Sequence, residues 1–572
     1  MPRTWTPLTI AIAVAALCGP LLTHSSLPLG SDVYAHTHWL RGFMESFSEG
    51  HPYPRWTDRT NQGLGAPAFV MFPPLVYYGA GAVSWLTGSI VSGFKLYLLL
   101  VAVLTGGAFY ALAREWIGPG LPAALAAGVY LLLPYHVLDM YQRFALSEIT
   151  SFIFFPLILL HLRRAMERTR GSDTLGLCLA YAGLIYTHIV SALMFSLFVG
   201  VWMVWEGWGQ WRRLLHPAAA LACGVALAAP ALLPAAVEKT HANVAWLREM
   251  PSGDYRINFI FRDEVLPALG FKDPVKPPVM RSALSQLTLA GLAAVLALTW
   301  SSALTHRGRR DVLALASGCA AAYVLQLEVS TPVWRLVPEL ATIQFPWRFQ
   351  TLMVLTAALL CGFAFFAGWG DRRVKEPRKL VGPAAIALGL VVAVNLMLAY
   401  QNAHLKSFRF SEETSRSQGV TDWVEPAFTP VQFRRYRDLH KLSVDIPRAS
   451  FIEGSGAIEI AAWESSARRL EISSPNGGRV RVRSFWFPGW AGTLGERPLE
   501  LAPSEDEGLL TFRVPAGVHT VRLSFTATTV RRAAGWIGLG SLPLTALVAW
   551  RPPRVMADLA GPASRPAPGA LT

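Results

Sequence analysis

Apolar runs recur along this chain at about 5–22, 68–87, 95–113, 119–137, 149–162, 174–208, 216–236, 284–303, 311–329, 347–370, 381–400 and 533–550. Most are about 17 to 24 residues long, enough to cross roughly 30 Å of hydrocarbon as a helix. The pattern changes between 401 and 531. There Gly456-Ala-Ile-Glu-Ile-Ala, Leu470-Glu-Ile-Ser, Arg479-Val-Arg-Val-Arg-Ser-Phe-Trp-Phe, Leu509-Leu-Thr-Phe-Arg-Val and His519-Thr-Val-Arg-Leu-Ser-Phe alternate with period two. With turn signals such as Asn476-Gly-Gly between them, they predict short strands of a small β-sandwich.

Charge decides how the runs cross. Basic clusters at Arg163/Arg164/Arg168/Arg170, Arg212/Arg213, His306/Arg307/Arg309/Arg310, Arg372/Arg373/Lys375/Arg378/Lys379 and Arg551/Arg554 lie beside the runs, as does Arg3. If all are cytoplasmic, an even number of crossings separates neighbours. Five runs precede Arg163, so one does not cross. The run 68–87 follows Pro67, holds Pro73, Pro74 and two glycines and ends before a third, Gly88, and reads as a helix on or dipping into the outer leaflet. The run 174–208 crosses twice, with its break near Tyr186-Thr-His-Ile-Val-Ser191. About twelve crossings result, with outer loops 23–94, 138–148, 237–283, 330–346 and 401–531.

Composition fits this picture. The chain is 52% hydrophobic and only 15% charged, and its net charge of +14 resides largely in the short clusters beside the runs, which points to topology rather than nucleic-acid binding. The five cysteines all fall in apolar runs, which predicts neither disulfides nor a cysteine metal site. Arg3 before an apolar run resembles a signal peptide, but without a convincing cleavage site an uncleaved first span is expected.

The candidate chemistry collects on the outer loops. Gly30-Ser-Asp-Val-Tyr-Ala-His-Thr-His-Trp39 and His51-Pro-Tyr-Pro-Arg-Trp-Thr-Asp-Arg59 put acids, imidazoles and guanidiniums just outside a span. A plain structural reading has Ser31 capping a helix and Asp32 favouring its positive end. Asp32 and His36, four residues apart, also share a face, as a base or ligand pair would. Arg143 and Glu148 stand at another outer edge, where Glu148 is costly in lipid unless it faces a polar cavity. His188 is expected at the tip of an outer hairpin. In Gln344-Phe-Pro-Trp-Arg348, Pro346 and Trp347 have structural explanations, whereas Arg348 could fork onto a phosphate. No Gly-rich nucleotide loop, zincin motif or nucleophile elbow appears, so a membrane-carried donor is favoured over a soluble nucleotide.

These motifs resemble the GT-C superfamily of membrane glycosyltransferases, nearest a bacterial integral-membrane family labelled "6-pyruvoyl-tetrahydropterin synthase-related". The carrying residues are Asp32 with His36, Tyr53-Pro-Arg-Trp56, Gly63-Leu-Gly-Ala-Pro67, Phe72-Pro-Pro-Leu75, Arg143 with Glu148, Thr187-His188, Gln344-Phe-Pro-Trp-Arg348 and Phe487-Pro-Gly-Trp490. The label's pterin chemistry finds no zinc-histidine arrangement in the sequence. The resemblance implies transfer of a sugar from a polyprenyl-phosphate donor to an envelope glycan, lipid or protein acceptor on the outer face, with inversion. It implies an Asp32 base, with Glu148 matching the second-loop acid. Both are candidate ligands for a divalent cation, Mg or Mn, the one cofactor entertained. Candidate substrate contacts are His36, His38, Arg55, Asp58, Arg143, His188, Gln344 and Arg348.

The expected fold is therefore an all-α polytopic membrane protein, GT-C-like, with about twelve transmembrane helices and a small extracytoplasmic β-sandwich. Residues 1–400 form the transmembrane domain with its catalytic loop 23–94, 401–531 the β-rich domain, and 532–572 the last helix and a cytoplasmic tail. A bacterial inner-membrane location with both termini cytoplasmic follows. A lipid or glycan transporter and a non-catalytic envelope scaffold are the competing readings. Inverted repeats and mid-membrane ionisable residues would favour the transporter.

Overall fold

In the computed structural model the described residues are 5–168, 170–244, 253–262, 276–299, 304–370, 389, 393–401, 408–417, 426–433 and 446–550. The basic residues at 3, 372–379 and 551–554 lie outside them, as do most of the run 381–400 and parts of 237–283 and 401–531.

The apolar runs form helices that are interrupted where proline or glycine intervenes. In chain order they are α1 (Trp5–Thr23), α2 (Val33–Ser48), α3 (Leu75–Thr87), α4 (Ile90–Trp116), α5 (Leu121–Leu132), α6 (Phe154–Glu167), α7 (Gly171–Thr187), α8 (Ile189–Glu206), α9 (Arg212–Leu227), α10 (Ala229–Glu238), α11 (Lys276–Thr299), α12 (His306–Val324), α13 (Gln350–Gly370) and α14 (Thr529–Trp550). Among the described residues six stretches are long and apolar enough to cross a membrane, and nine if three bent pairs each count as a span. These residues do not establish the twelve expected crossings. The run 216–236 is not one straight helix: α9 and α10 meet at 69° beside Pro230. The run 119–137 bends by 41° before Pro134, and the chain turns by 95° after α12. A proline removes a ladder donor and crowds the preceding turn, which accounts for the first two breaks.

The run 68–87 yields α3, whose 13 residues span only about 20 Å, too short to cross. It begins behind Pro73-Pro74, ends on left-handed Gly88 (φ +65°), and packs tightly on α4. A Cβ at Gly93 would stand 2.6 Å from Ser84 Cα, so only glycine lets the two helices touch there. The run 174–208 divides as expected, at extended His188 between α7 and α8.

The helices give the body two chemically distinct ends. At one, Arg164 pairs with Glu115 at 2.6 Å, Arg163 with Asp311 at 2.9 Å, and Arg307 with Glu167 at 2.5 Å. With Arg307 also 3.6 Å from Glu206, those contacts gather the termini of α4, α6, α8 and α12. The span Leu146–Glu167 runs about 33 Å from there to Glu148 at the opposite end, and α8 likewise leads back to His188.

The period-two segments form two antiparallel sheets. Strands β3 (Ala449–Gly454), β6 (Gly478–Phe485), β10 (Leu509–Val514) and β9 (Ala502–Pro503) make one. The other is β4 (Ala457–Trp463), β5 (Ala467–Ser474), β11 (Gly517–Phe525), β7 (Trp490–Leu494) and β8 (Arg497–Leu499). The alternation is obeyed: Leu470, Ile472, Val480, Val482, Val521 and Leu523 enter one shared core. Two further short strands, β1 (Leu27–Pro28) and β2 (Phe408–Phe410), pair with each other beside α2.

Several joints fasten the sheets to the helical body. Trp56 leaves the 51–70 loop and is fully buried in the β core, edge-on to Trp490 at 5.4 Å, while the Leu64 carbonyl accepts from Phe485 N–H at 2.7 Å. Asp58 forms an ion pair with Arg468 and accepts from Trp463 Nε1 at 3.0 Å. At the start of α14, buried Arg531 holds Glu238 through Nε at 3.0 Å and Nη2 at 2.8 Å and donates to the Pro488 carbonyl at 2.7 Å. Removing one partner of a buried pair leaves an uncompensated charge. Arg531→Met should therefore lower stability by about 3–5 kcal/mol, and the double variant Arg531→Met/Glu238→Gln should recover a large part of it. Thermal unfolding in detergent checks this. A single variant that melts with the native protein would show the pair to be dispensable.

Candidate functional site

The site starts from a backbone clasp. Asp32 N–H donates to the Arg143 carbonyl at 2.8 Å, Ser31 N–H to the Gln142 carbonyl at 3.3 Å, and the Ser31 hydroxyl to the Arg143 carbonyl at 3.3 Å. The two strands of chain lie so close that a Cβ on Gly30 would sit 2.7 Å from Phe144 Cβ and 2.8 Å from the Arg143 carbonyl carbon. The expected helix cap is thus corrected. Ser31 serves the neighbouring loop, and Asp32, although at the N-cap of α2, makes no side-chain capping bond. Its half-buried carboxylate has no ion pair among the described residues.

The facing loop is strained. Residues Asp139–Arg143 form a single π-turn, and Phe144 takes a left-handed conformation (φ +57°) that a bulky residue rarely adopts. The result aims Arg143 inward. Its Nη1 donates to Asp139 Oδ1 at 2.5 Å, Glu148 Oε2 at 2.9 Å and the Tyr135 hydroxyl at 3.1 Å. That hydroxyl in turn donates to Glu148 Oε1 at 2.8 Å. Asp139, Arg143 and Glu148 are 0%, 5% and 2% exposed, so each charge depends on the others. Arg348 closes the far side, with Nε 3.4 Å from Glu148 Oε2 and Nη1 donating to the Ile343 carbonyl at 3.0 Å. His188 lies in the same wall with Nδ1 2.7 Å from the Ser191 hydroxyl.

His36 is fixed on both ring nitrogens. Leu146 N–H donates to Nε2 at 3.3 Å, so Nδ1 carries the proton and donates to the Tyr77 hydroxyl at 2.8 Å. Burial, chiefly, pushes its pKa down to about 4, which leaves the imidazole neutral. Together these side chains line a cavity of about 210 Å³, walled on its apolar side by Trp39 and Phe72.

Six of the ten residues expected at a site meet here: Asp32, His36, Arg143, Glu148, His188 and Arg348. The other four do not line it. His38 is two residues from His36 and so on another face of α2; it is buried beside Arg41 and Arg59, and burial again lowers its pKa to about 4. Asp58 serves the joint to the β domain, where burial raises its pKa against the pull of Arg468. Arg55 donates to the Pro230 carbonyl at 2.8 Å and lines another cavity. Gln344 contributes its backbone, in a positive-φ turn (φ +63°) whose carbonyl accepts from Asn258 at 3.3 Å. His188 is buried rather than a solvated turn tip. Asp139, Tyr135 and Tyr77 were not anticipated. The signal for Asp139 was an acid four residues before Arg143 at the edge of an apolar run.

The residues present do not by themselves fit a bound Mg or Mn. Glu148 is closed by two guanidiniums and a phenol, and both nitrogens of His36 are occupied. Among the described residues no group of three or more His, Cys, Asp or Glu is arranged to hold a metal.

Residues 69–402 match the family described as "6-pyruvoyl-tetrahydropterin synthase related domain; membrane protein". No curated protein matches the chain. Among solved structures, the chain is similar to the apo oligosaccharyltransferase of Archaeoglobus fulgidus, at 13% identity and TM-score 0.44, covering 70% of this chain and 56% of that one. It is similar to ArnT from Cupriavidus metallidurans bound to undecaprenyl phosphate, at 16% identity and TM-score 0.32, covering 64% and 79%. It is also similar to the arabinofuranosyltransferase AftD from Mycobacteria, at 14% identity and TM-score 0.47, covering 92% and 40%. The chain thus spans about half the length of the first and less of the third.

Two outcomes follow from the geometry. Gly30→Ala should push the Arg143–Phe144 backbone away and destabilise the protein by about 1–3 kcal/mol, visible as a lowered melting temperature; an unshifted melt would mean the clasp is loose. The second concerns acid. His36 and His38 titrate near 6.5 when unfolded but about 4 when folded, so the unfolded chain takes up the protons first. Their contribution is complete above pH 6.5 and is lost as pH falls towards 4, on the order of 3 kcal/mol for each. Melting temperature measured from pH 7 to 4.5 should fall, and His36→Gln/His38→Gln should flatten that slope. An equally steep slope in the double variant would assign the acid sensitivity elsewhere.

Proposed function

The chain belongs to the 6-pyruvoyl-tetrahydropterin synthase related domain family of membrane proteins, and we propose that it is a membrane glycosyltransferase acting at the extracytoplasmic face. The observation that carries the reading is the placement of Asp32. It is a carboxylate that forms no direct ion pair among the described residues, in one cavity with Arg143, Glu148 and Arg348. The cavity lies at the end of the body opposite the arginines 163, 164 and 307, and the positive-inside rule puts those in the cytoplasm. Among the described residues the buried charged groups of the helical body lie at its two ends rather than along a mid-membrane path, which favours an enzyme over a transporter.

The donor in this reading is a polyprenyl-phosphate hexose or pentose, and the acceptor a hydroxyl of an envelope glycan, lipid or protein. Asp32 takes the acceptor proton as its oxygen attacks the anomeric carbon. The bond from that carbon to the carrier phosphate breaks on the opposite side, so the configuration inverts. The departing phosphate gains negative charge, which Arg348 and Arg143 stabilise in a site with little water. Glu148 holds the two guanidiniums apart and aimed, and neutral His36 fixes Leu146 beside them. In this reading the protein sits in a bacterial inner membrane with both termini cytoplasmic and the β sheets outside.

Surface-glycan composition should change in a deletion strain and in a strain carrying Asp32→Ala. In purified protein Asp32→Asn should reduce transfer about 10²–10⁴-fold while leaving donor binding near native. Full transfer by normally folded Asp32→Asn would remove Asp32 from the base role. A deletion strain with an unchanged glycan profile would count against the enzyme altogether.

A further inference from the structure

Arg55 opens onto a second cavity, of about 230 Å³, where His51–Arg55 meets Ser466, Phe525–Ala527 and Arg531. Two guanidiniums, Arg55 and Arg531, and the His51 imidazole face it. One carboxylate answers them: Glu238, fully engaged by Arg531. Arg55 has no carboxylate partner among the described residues. Its Nη2 donates to the Pro230 carbonyl at 2.8 Å, and the group lies 3.7 Å over the Tyr53 ring. Its Nη1 is buried with no hydrogen-bond partner, and so is the Tyr53 hydroxyl beside it.

A buried charged donor left unmade costs more than an exchanged hydrogen bond returns, so such a pair of groups at a cavity is built to meet an acceptor. The acceptor must be anionic to balance the unanswered charge. A tetrahedral oxyanion matches the fork of a guanidinium already held flat on an aromatic ring. We propose that this cavity binds a phosphate ester on Arg55, with the Tyr53 hydroxyl as second donor. The phosphate belongs either to a phospholipid headgroup or to a phosphate-bearing glycan. The site lies at the seam between the 51–55 loop, the β sheets and the start of α14, so occupancy would brace that seam. It does not rest on the reading of the first cavity, whose arginines are Arg143 and Arg348.

The test uses the full chain in dodecyl maltoside micelles, which carry no phosphate, with radiolabelled inorganic phosphate as probe. Native protein should bind phosphate, Arg55→Gln should weaken that binding about tenfold or more, and Arg348→Gln should leave this component unchanged. If Arg55→Gln does not fold, Tyr53→Phe, which keeps the ring beneath the guanidinium, decides the matter with an expected weakening of about threefold or more. Repeating the titration in nanodiscs containing phosphatidylglycerol separates the sources. Loss of the Arg55-dependent component there assigns the site to a lipid headgroup, and its persistence assigns it to a glycan phosphate. Absence of phosphate binding in native protein, or binding unaltered by Arg55→Gln and Tyr53→Phe, overturns the proposal.

Discussion

A buried guanidinium governs this protein. Arg143 is removed from water at the end of several apolar helices, where an unpaired charge would be untenable. It survives because Asp139 and Glu148 bind one of its nitrogens from two sides and Tyr135 bridges to Glu148. Satisfying that one residue sets much of the local architecture. The π-turn brings Asp139 and Arg143 together four residues apart, and left-handed Phe144 reverses the chain so that Glu148 can return. Arg348 then finds in Glu148 the counter-charge that allows it to be buried as well.

The strain of that loop is supported from outside. The 30–32 segment lies against it through backbone bonds that need no particular side chain except the absence of one, at Gly30. His36 adds a side-chain prop by accepting from Leu146, and Tyr77 on the short helix α3 orients His36 in turn. The first outer loop and α3 therefore act as a splint for the second loop. Asp32 is delivered to the cavity as a consequence, free of capping duty because its neighbour Ser31 is used by the splint.

How much of this was legible follows from how local each interaction is. The break at His188, the alternating strands and the failure of residues 68–87 to make a spanning helix depend on neighbours a few positions away, and periodicity and prolines reveal them. Pairing Asp32 with His36 was legible by helical spacing, and the same spacing should have set His38 apart. That Asp58 and Arg55 lie away from the first cavity was not legible, because their partners, Arg468 and Pro230, lie far along the chain, and a polar loop beside a span looks the same whether it binds substrate or a domain. The bend at Ala228 was concealed because Pro230 and Pro234 lie in a run apolar enough to read as a span.

Those two residues show what the β sheets do mechanically. The segment from His51 to Pro74 has Phe72 in the wall of the first cavity and Tyr53 and Arg55 in the wall of the second. Between them the chain plugs Trp56 into the β core, a fit so close that Gly65 has no room for a Cβ against the Trp56 ring. Tyr78 on α3 then returns to bond the Pro52 carbonyl at 2.5 Å. The sheets thus pin the middle of a loop whose two flanks shape separate cavities. A rigid plug in a closely packed core transmits displacement rather than absorbing it. A shift of the sheets would therefore be felt at Phe72, and through α3 at the Tyr77–His36 bond. That coupling gives the Tyr53-Pro-Arg-Trp56 and Phe487-Pro-Gly-Trp490 motifs a common physical reason. They are the two halves of one joint, closed by Trp56 against Trp490 and by the Pro488 carbonyl on Arg531.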